Sequence, residues 1–326
     1  MITSLHLTIS DKCGANCIFC PKHQTNKQLQ NMSVETAKRI IDDVSINDYG
    51  IKEIQVGNNG DCFFNPELIT ILRYIKSKQL SAKIIMFTNF QLFNERLQKI
   101  IVSEHLVDAI SMNIDSMSPD YYRFIKSLDF DNMIKNVKSF MDIRDEFNNM
   151  IPLTIYVINI DNYIKQLKMF FNATPEKIKN VLLIEQIKND YDFTNQQLLK
   201  IKRSCDEVKN IPPIFWAERN ALGSININYD GCPCPHLEEI HNSMFISPDG
   251  TAYMCCLDNE YKLSYGNIYD NTIKELLECE KRNTLLYKLA TKDYLSIGLP
   301  CTAIPACYTY TGLKPENDNK ILEEQK

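Results

Sequence analysis

Between residue 2 and about residue 215, short β-rich segments alternate with helical patterns six times. That alternation restricts the chain to a parallel sheet with helices packed on it, because each strand must return through a crossover to lie beside its predecessor. The strand candidates are Ile2–Ile9, Ile51–Val56, Lys83–Thr88, Val107–Ile114, Ile151–Ile158 and Asn180–Gln186. Helices are expected from an N-cap at Ser33 to about Ile46, from Pro66 to Lys78 and from Phe93 to Ser103, then near 118–126, 130–147 and 161–172. Six units are too few to close an eight-fold barrel, so the expected architecture is α/β, an open partial (β/α)6 TIM-like barrel. Functional groups in such folds gather at the carboxyl ends of the strands. At Ile211-Pro212-Pro213 the alternation stops and cysteines begin to crowd, which places a boundary between 1–215 and a smaller cysteine-rich α+β region at 216–326. The 326-residue length agrees with two units.

Directly after the first strand comes Asp-Lys-Cys-Gly-Ala-Asn-Cys-Ile-Phe-Cys-Pro, residues 11–21. Cys13, Cys17 and Cys20 are spaced C-x3-C-x2-C, and Gly14 and Asn16 allow the tight backbone that lets three thiols face one object. A structural zinc would need a fourth ligand nearby, for which His23 beyond Pro21 is the nearest candidate. A four-iron cube takes one thiolate per iron, so three thiolates leave one iron open to a further ligand.

The chain holds twelve cysteines, too many for packing alone. It shows no basic, apolar, cleavable leader and no apolar run of membrane-spanning length, so the expectation is a cytoplasmic protein without membrane contact. In that compartment cysteines read as metal ligands or catalytic thiols rather than a disulfide frame. A net charge of −5, with Lys and Arg dispersed, argues against nucleic acid as the main partner.

The cysteine run, with aromatic Phe19 before its third cysteine, resembles the signature of the radical S-adenosylmethionine (SAM) enzymes. The resemblance implies a [4Fe-4S] cluster on Cys13, Cys17 and Cys20 whose open iron binds the amino and carboxylate groups of S-adenosylmethionine. It further implies one-electron cleavage of the sulfonium, hydrogen abstraction by a 5′-deoxyadenosyl radical, and an electron donor such as flavodoxin or ferredoxin. Phe19 would lie beside the adenine. Asn59-Gly60-Asp61 resembles the family's Gly-Gly-Glu stretch, which engages the cofactor's amino group, and a plain glycine turn is the competing reading. Asn113 and Asp115 resemble the Ser-x-Asp pair placed near the ribose. Thr88-Asn89 resembles the family's Thr-Asn-Gly, with Phe90 in place of the glycine.

Residues 243–256 read as a hairpin, two alternating strands around Pro248-Asp249-Gly250, the second delivering Cys255 and Cys256. With Cys232 and Cys234 upstream, Gly266-Asn267-Ile268, a helix near 272–289, and Cys301 and Cys307, this region resembles the SPASM/twitch accessory domain. The resemblance implies one auxiliary [4Fe-4S] cluster held by Cys234, Cys255, Cys301 and Cys307, with Cys232 as a substitute for Cys234. A zinc ribbon is the alternative. Adjacent strand residues point to opposite faces, so Cys256 is expected to face away from that cluster. It is then either a hydrogen-atom donor to a substrate radical, as in relatives that invert stereocentres, or a small buried hydrophobe. Cys62, Cys205 and Cys279 read as ordinary core or surface residues.

The expected activity is a radical SAM oxidoreductase or epimerase acting on a C–H bond of a polar, carbohydrate-like small molecule. Only twelve residues precede Cys13, which disfavours an amino-terminal leader-recognition domain. Maturation of a ribosomal peptide stays the second reading, and a zinc-binding non-enzyme the remote one.

Overall fold

In the computed structural model, six parallel strands lie side by side in reverse chain order. They are β1 (Ser4–Leu7), β2 (Glu53–Val56), β3 (Lys83–Phe87), β4 (Ala109–Asn113), β5 (Leu153–Ile158) and β6 (Glu207–Ile211). The structure describes residues 1–18, 20, 22, 25, 27–57, 59–158, 181–211, 234–298 and 300–301. Register is in step from strand to strand: Leu7 opposes Val56, Val56 opposes Met86, and Met86 opposes Ile110. Alternate residues of these strands (Leu5, Leu7, Ile54, Val56, Ile84, Met86, Ile110, Met112, Leu153, Ile155 and Val157) are buried. Burial of one such side chain contributes about 1.5–3 kcal/mol, and the row of them holds the sheet against its helices.

The helices follow their local signals. α1 (Val34–Ile46) starts where the Ser33 side chain accepts the Thr36 N–H, and buries Ala37, Ile40, Ile41 and Val44 along one face. α2 (Leu68–Ser77) buries Leu68, Ile71, Leu72 and Ile75. α3 (Glu95–Ser103) is capped by Asn94, and α5 (Phe130–Glu146) by Asp129. α4 (Pro119–Lys126), with proline in its first turn, stops at Ser127 in the left-handed conformation.

The sixth strand is not where periodicity placed it. Of the stretch 180–186, the described residues 181–186 fall on the start of a helix, α6 (Val181–Ile201), and β6 lies at Glu207–Ile211 instead. A short apolar run such as Val181-Leu182-Leu183-Ile184 has no period that separates strand from buried helix. The expected helix at 161–172 lies outside the described residues.

Beyond β6 the chain comes back to the same sheet. α7 (Leu237–Asn242) leads into β7 (Ser243–Ile246), which pairs in parallel with β1, Leu5 opposite Met244 and Leu7 opposite Ile246. β8 (Thr251–Tyr253) and β9 (Ser264–Asn267) continue it antiparallel, giving nine strands in an open mixed sheet among the described residues. The expected hairpin is therefore present, and it extends the barrel sheet. Its turn needs Gly250 at φ 84°, where a Cβ would strike the Ile268 side chain. The expected helix near 272–289 is two, α8 (Ile273–Glu278) and α9 (Glu280–Ala290), broken at Cys279, whose thiol accepts the Arg282 N–H. A last turn, α10, spans Tyr294–Ile297.

Phe90, in the loop after β3, sits at φ 64° although it carries a bulky side chain. Its ring is fully buried against Phe93 and Phe140, its carbonyl accepts from Asn136, and its N–H donates to Thr88 Oγ1. Packing thus outweighs the strain. Phe90→Ala is expected to cost about 3–5 kcal/mol. Phe90→Gly, which frees the left-handed backbone, is expected to be about 1 kcal/mol more stable than Phe90→Ala, reversing their usual order. Denaturant unfolding of the two variants measures the difference.

Candidate active site

The cysteine loop leaves β1 at the carboxyl end of the sheet and is fastened on two sides. Asn16 N–H donates to Lys126 O and Ile18 N–H to Ile125 O, both at 2.9 Å, so the residues flanking Cys17 are stitched to the end of α4. On the other side, Asp61 N–H donates to Lys12 O at 2.9 Å. Gly60 is packed so closely there that a Cβ would clash with the Ser10 and Lys12 carbonyl oxygens. Asp11 anchors the base of the loop: its carboxylate meets Lys27 at 2.7 Å and accepts the Gln30 N–H.

Cys13, Cys17 and Cys20 are half-buried in this loop, and each thiol lies within electrostatic reach of Lys126. Burial pushes all three thiols up, Cys17 to about 12. Metal-free thiols of that kind stay protonated and inert, and metal coordination is what deprotonates them. Among the described residues, no three His, Cys, Asp or Glu side chains converge on a single metal ion. Three thiols on one loop are a donor set that suits a cube, which takes one thiolate per iron. Asn89 supports this loop through a hydrogen bond, its Nδ2 donating to Cys13 Sγ at 3.7 Å.

The residues of the Asn59-Gly60-Asp61 stretch have different jobs. Asp61 is buried, and burial raises its pKa. Its Oδ1 accepts from Phe63 N–H, and its Oδ2 from Thr88 Oγ1 and Asn89 N–H. Oδ1 thus closes the turn of its own loop, and Oδ2 ties the loop after β2 to the loop after β3. Asn59 donates from Nδ2 to the Tyr253 hydroxyl, which also meets Thr8 Oγ1 at 3.1 Å. Asn113 ends β4, half-buried. Asp115, two residues on at φ 65°, is buried and pairs with the equally buried Lys126 at 2.6 Å.

Lys126 is the residue that sequence reading missed. A lysine in the last turn of a helix reads as a complement to the helix dipole, and nothing in its pattern says that it points inward. Lys22, two residues beyond Cys20, is likewise buried, and its ammonium has no hydrogen-bond partner among the described residues. Burial lowers its pKa to about 8, while Asp11, Cys20 and Cys13 oppose that drop.

Cys234, Cys255 and Cys301 form a second group. Burial and the proximity of Cys255 push Cys234 up to about 12, and Cys301 rises for the same reasons with Cys234 added. The adjacent cysteines do not behave as strand neighbours. β8 ends at Tyr253, and Cys255 begins a turn in which its carbonyl accepts the Asp258 N–H. The Cys255 and Cys256 side chains hydrogen-bond each other, so alternation across a strand does not separate them. Both thiols lie within electrostatic reach of the Tyr253 hydroxyl, which connects this turn to Asn59. Of the remaining cysteines, Cys62 is buried and donates to Phe87 O. Phe19, Cys232 and Cys307 lie outside the described residues.

The profile of the radical SAM superfamily matches residues 7–164. That of the SPASM iron–sulfur cluster-binding domain matches residues 232–303. A probable GTP 3′,8-cyclase of Methanococcus maripaludis is 27% identical over 38% of this chain and 40% of its own length. Another, from Methanocaldococcus jannaschii, is 22% identical over 64% of this chain and 68% of its own. The chain thus spans about two fifths of the first of these relatives. Among solved structures, BtrN in complex with AdoMet and 2-DOIA aligns at TM-score 0.54 and 11% identity, covering 91% of this chain and 90% of that one. The anSMEcpe structure with bound AdoMet aligns at 0.59 and 14%, covering 89% and 81%. SuiB of Streptococcus suis bound to S-adenosylmethionine aligns at 0.54 and 13%, covering 88% and 68%. These structural likenesses establish the shared fold. Among the described residues, no helix is long and apolar enough to cross a membrane.

Proposed function

The chain carries a radical SAM domain followed by a SPASM iron–sulfur cluster-binding domain, and from that premise we propose an oxidoreductase or epimerase acting on a C–H bond of a polar, carbohydrate-like small molecule. Its cofactors are [4Fe-4S] clusters and S-adenosylmethionine. The observation that carries the reading is the fastened loop with three half-buried, electrostatically coupled thiols at the carboxyl end of β1. When bound, cluster and cofactor together supply one-electron cleavage of the sulfonium and removal of a hydrogen atom from substrate.

The chain's own residues divide the remaining work. Cys13, Cys17 and Cys20 hold the first cluster. Lys22 brings a buried ammonium beside Cys13 and Cys20 and receives the cofactor's carboxylate. With both Asp61 oxygens engaged by protein donors, contact with the cofactor's amino group falls to backbone carbonyls of the 59–61 turn. Asn113 and Asp115 would serve the ribose, and Phe19 the adenine. Cys234, Cys255, Cys301 and Cys307 would hold one auxiliary cluster, and such a cluster would supply a place for the second electron of a dehydrogenation. A cytosolic donor such as flavodoxin or ferredoxin supplies the first. The likeness to BtrN, spanning nearly all of both chains, lends weight to the small-molecule reading. A ribosomal peptide is the second reading, because the SuiB structure bound to precursor peptide SuiA also aligns, at TM-score 0.52.

The test is anaerobic reconstitution followed by iron, sulfide and 5′-deoxyadenosine analysis. Iron and sulfide in equal amounts, with 5′-deoxyadenosine formed under reduction, support the reading. Zinc without sulfide overturns it. Cys256 decides the outcome of the substrate radical. If it donates hydrogen, turnover in D2O places solvent deuterium at the inverted carbon, because the thiol exchanges with solvent. Cys256→Ala is then expected to keep cofactor cleavage and lose both inversion and label. Unchanged, unlabelled product in wild type and variant removes the epimerase branch and leaves dehydrogenation.

A further inference from the structure

Resting on the assignment of Cys13, Cys17 and Cys20 to the first cluster, we propose that Lys126 is a fixed positive charge that raises that cluster's reduction potential, with Asp115 as its counterweight. Lys126 is a positioning residue for the electron and not a ligand. The pair is buried on both sides, the side chains 4% and 0% exposed, and its Nζ–Oδ2 distance is 2.6 Å. Burial favours loss of the Lys126 proton, but the groups facing it, Asp115 first among them, outweigh burial and hold the ammonium charged.

Its placement is not incidental to the loop. The Lys126 carbonyl accepts the Asn16 N–H and the neighbouring Ile125 carbonyl accepts the Ile18 N–H, so the backbone of Cys17 is bracketed by the turn that carries the ammonium. All three cysteine thiols feel this charge, and at Cys17 it is the largest one acting, with Asp115 weaker and of opposite sign. Lys22 adds to it at Cys20, and Asp61 opposes it at Cys13. A surface charge would be screened within about 8 Å at physiological salt. A buried one acts through a lower dielectric and keeps its strength. Net charge around a cluster is one of the levers that place its potential, since reduction adds a negative charge that a nearby cation stabilises. Asp115 also accounts for why a lysine is tolerated here at all, because an unpaired buried ammonium would be costly.

The experiment is an EPR-monitored redox titration of the reconstituted full chain. The first cluster is identified as the signal that changes when S-adenosylmethionine is added. Lys126→Gln is expected to move its midpoint to more negative potential, and Asp115→Asn to more positive potential. Lys126→Arg is expected to stay at the wild-type value. Shifts of the same sign in the two neutralising variants, or no shift in either, overturn the proposal, since loss of packing alone has no reason to move the midpoint in opposite directions. If Lys126→Gln fails to load iron, Asp115→Asn against wild type decides: a positive shift supports the role, and its absence removes it. Survival of the cofactor-responsive signal in Cys17→Ala would instead mean that the ligand assignment has failed. Loss of that signal in Cys17→Ala with unmoved midpoints at 115 and 126 would sink this inference alone.

Discussion

Cys17→Ala is expected to abolish 5′-deoxyadenosine formation, a loss larger than the roughly 10–100-fold that follows removal of an outer-shell partner at a metal site. The reason is positional. Cys17 is the middle ligand of the loop, and its backbone lies between the two hydrogen bonds to Lys126 and Ile125. Without its sulfur, the Lys126 charge faces two thiols in place of three and the cube loses one of its irons' holders. Thermal stability is expected to change little, because Cys17 is half-buried and replaced by a smaller apolar side chain. Iron content, the cofactor-responsive EPR signal and product yield are measured on the same preparation. Full product yield from Cys17→Ala would remove the basis for placing the cofactor at this loop.

The second large effect is on stability, far from the cysteines. Arg144 on α5 and Asp206 before β6 are both completely buried, joined by two bonds of 2.7 and 2.9 Å. Asp206 also accepts the Leu153 and Arg203 N–H groups, and Arg144 donates to Ile151 O. This one pair fastens α5, the start of β5 and the turn into β6. Arg144→Ala leaves a buried carboxylate without its cation and is expected to cost about 3–5 kcal/mol. Asp206→Asn, which keeps the shape and some of the hydrogen bonds, is expected to cost less.

The pH dependence of that cost has a definite sign. Burial alone would raise the Asp206 pKa, but Arg144 and the two backbone donors outweigh it and hold it below the usual carboxylate value. A depressed folded-state pKa contributes stability above the unfolded value, near 3.9. That contribution is lost as pH falls through the folded value. The gap in unfolding free energy between wild type and Asp206→Asn is thus expected to be full at neutral pH and to shrink below about pH 4. Denaturant unfolding across that range measures it. A gap that widened in acid would contradict the pairing.

The order of the first five strands, the helices between them and the position of the thiol loop were legible in the residues alone. Those features are local: a cap such as Ser33, an alternating strand and a C-x3-C-x2-C spacing each act within a few residues, and the chemistry of three thiols follows from their type. Four things were decided only in three dimensions. The Val181–Ile184 run is helical because tertiary context, not its apolar character, chooses between helix and strand. Cys255 and Cys256 are partners because the chain leaves β8 before reaching them. Asp61 holds two loops together through contacts with Thr88 and Asn89, both more than twenty residues away. Lys126 turns inward to the thiols through its pairing with Asp115, eleven residues earlier. Sequence pattern records which groups are present and how closely they follow one another. Which buried charge faces which other is settled by long-range packing, where desolvation makes every unpaired group costly and so leaves few arrangements standing.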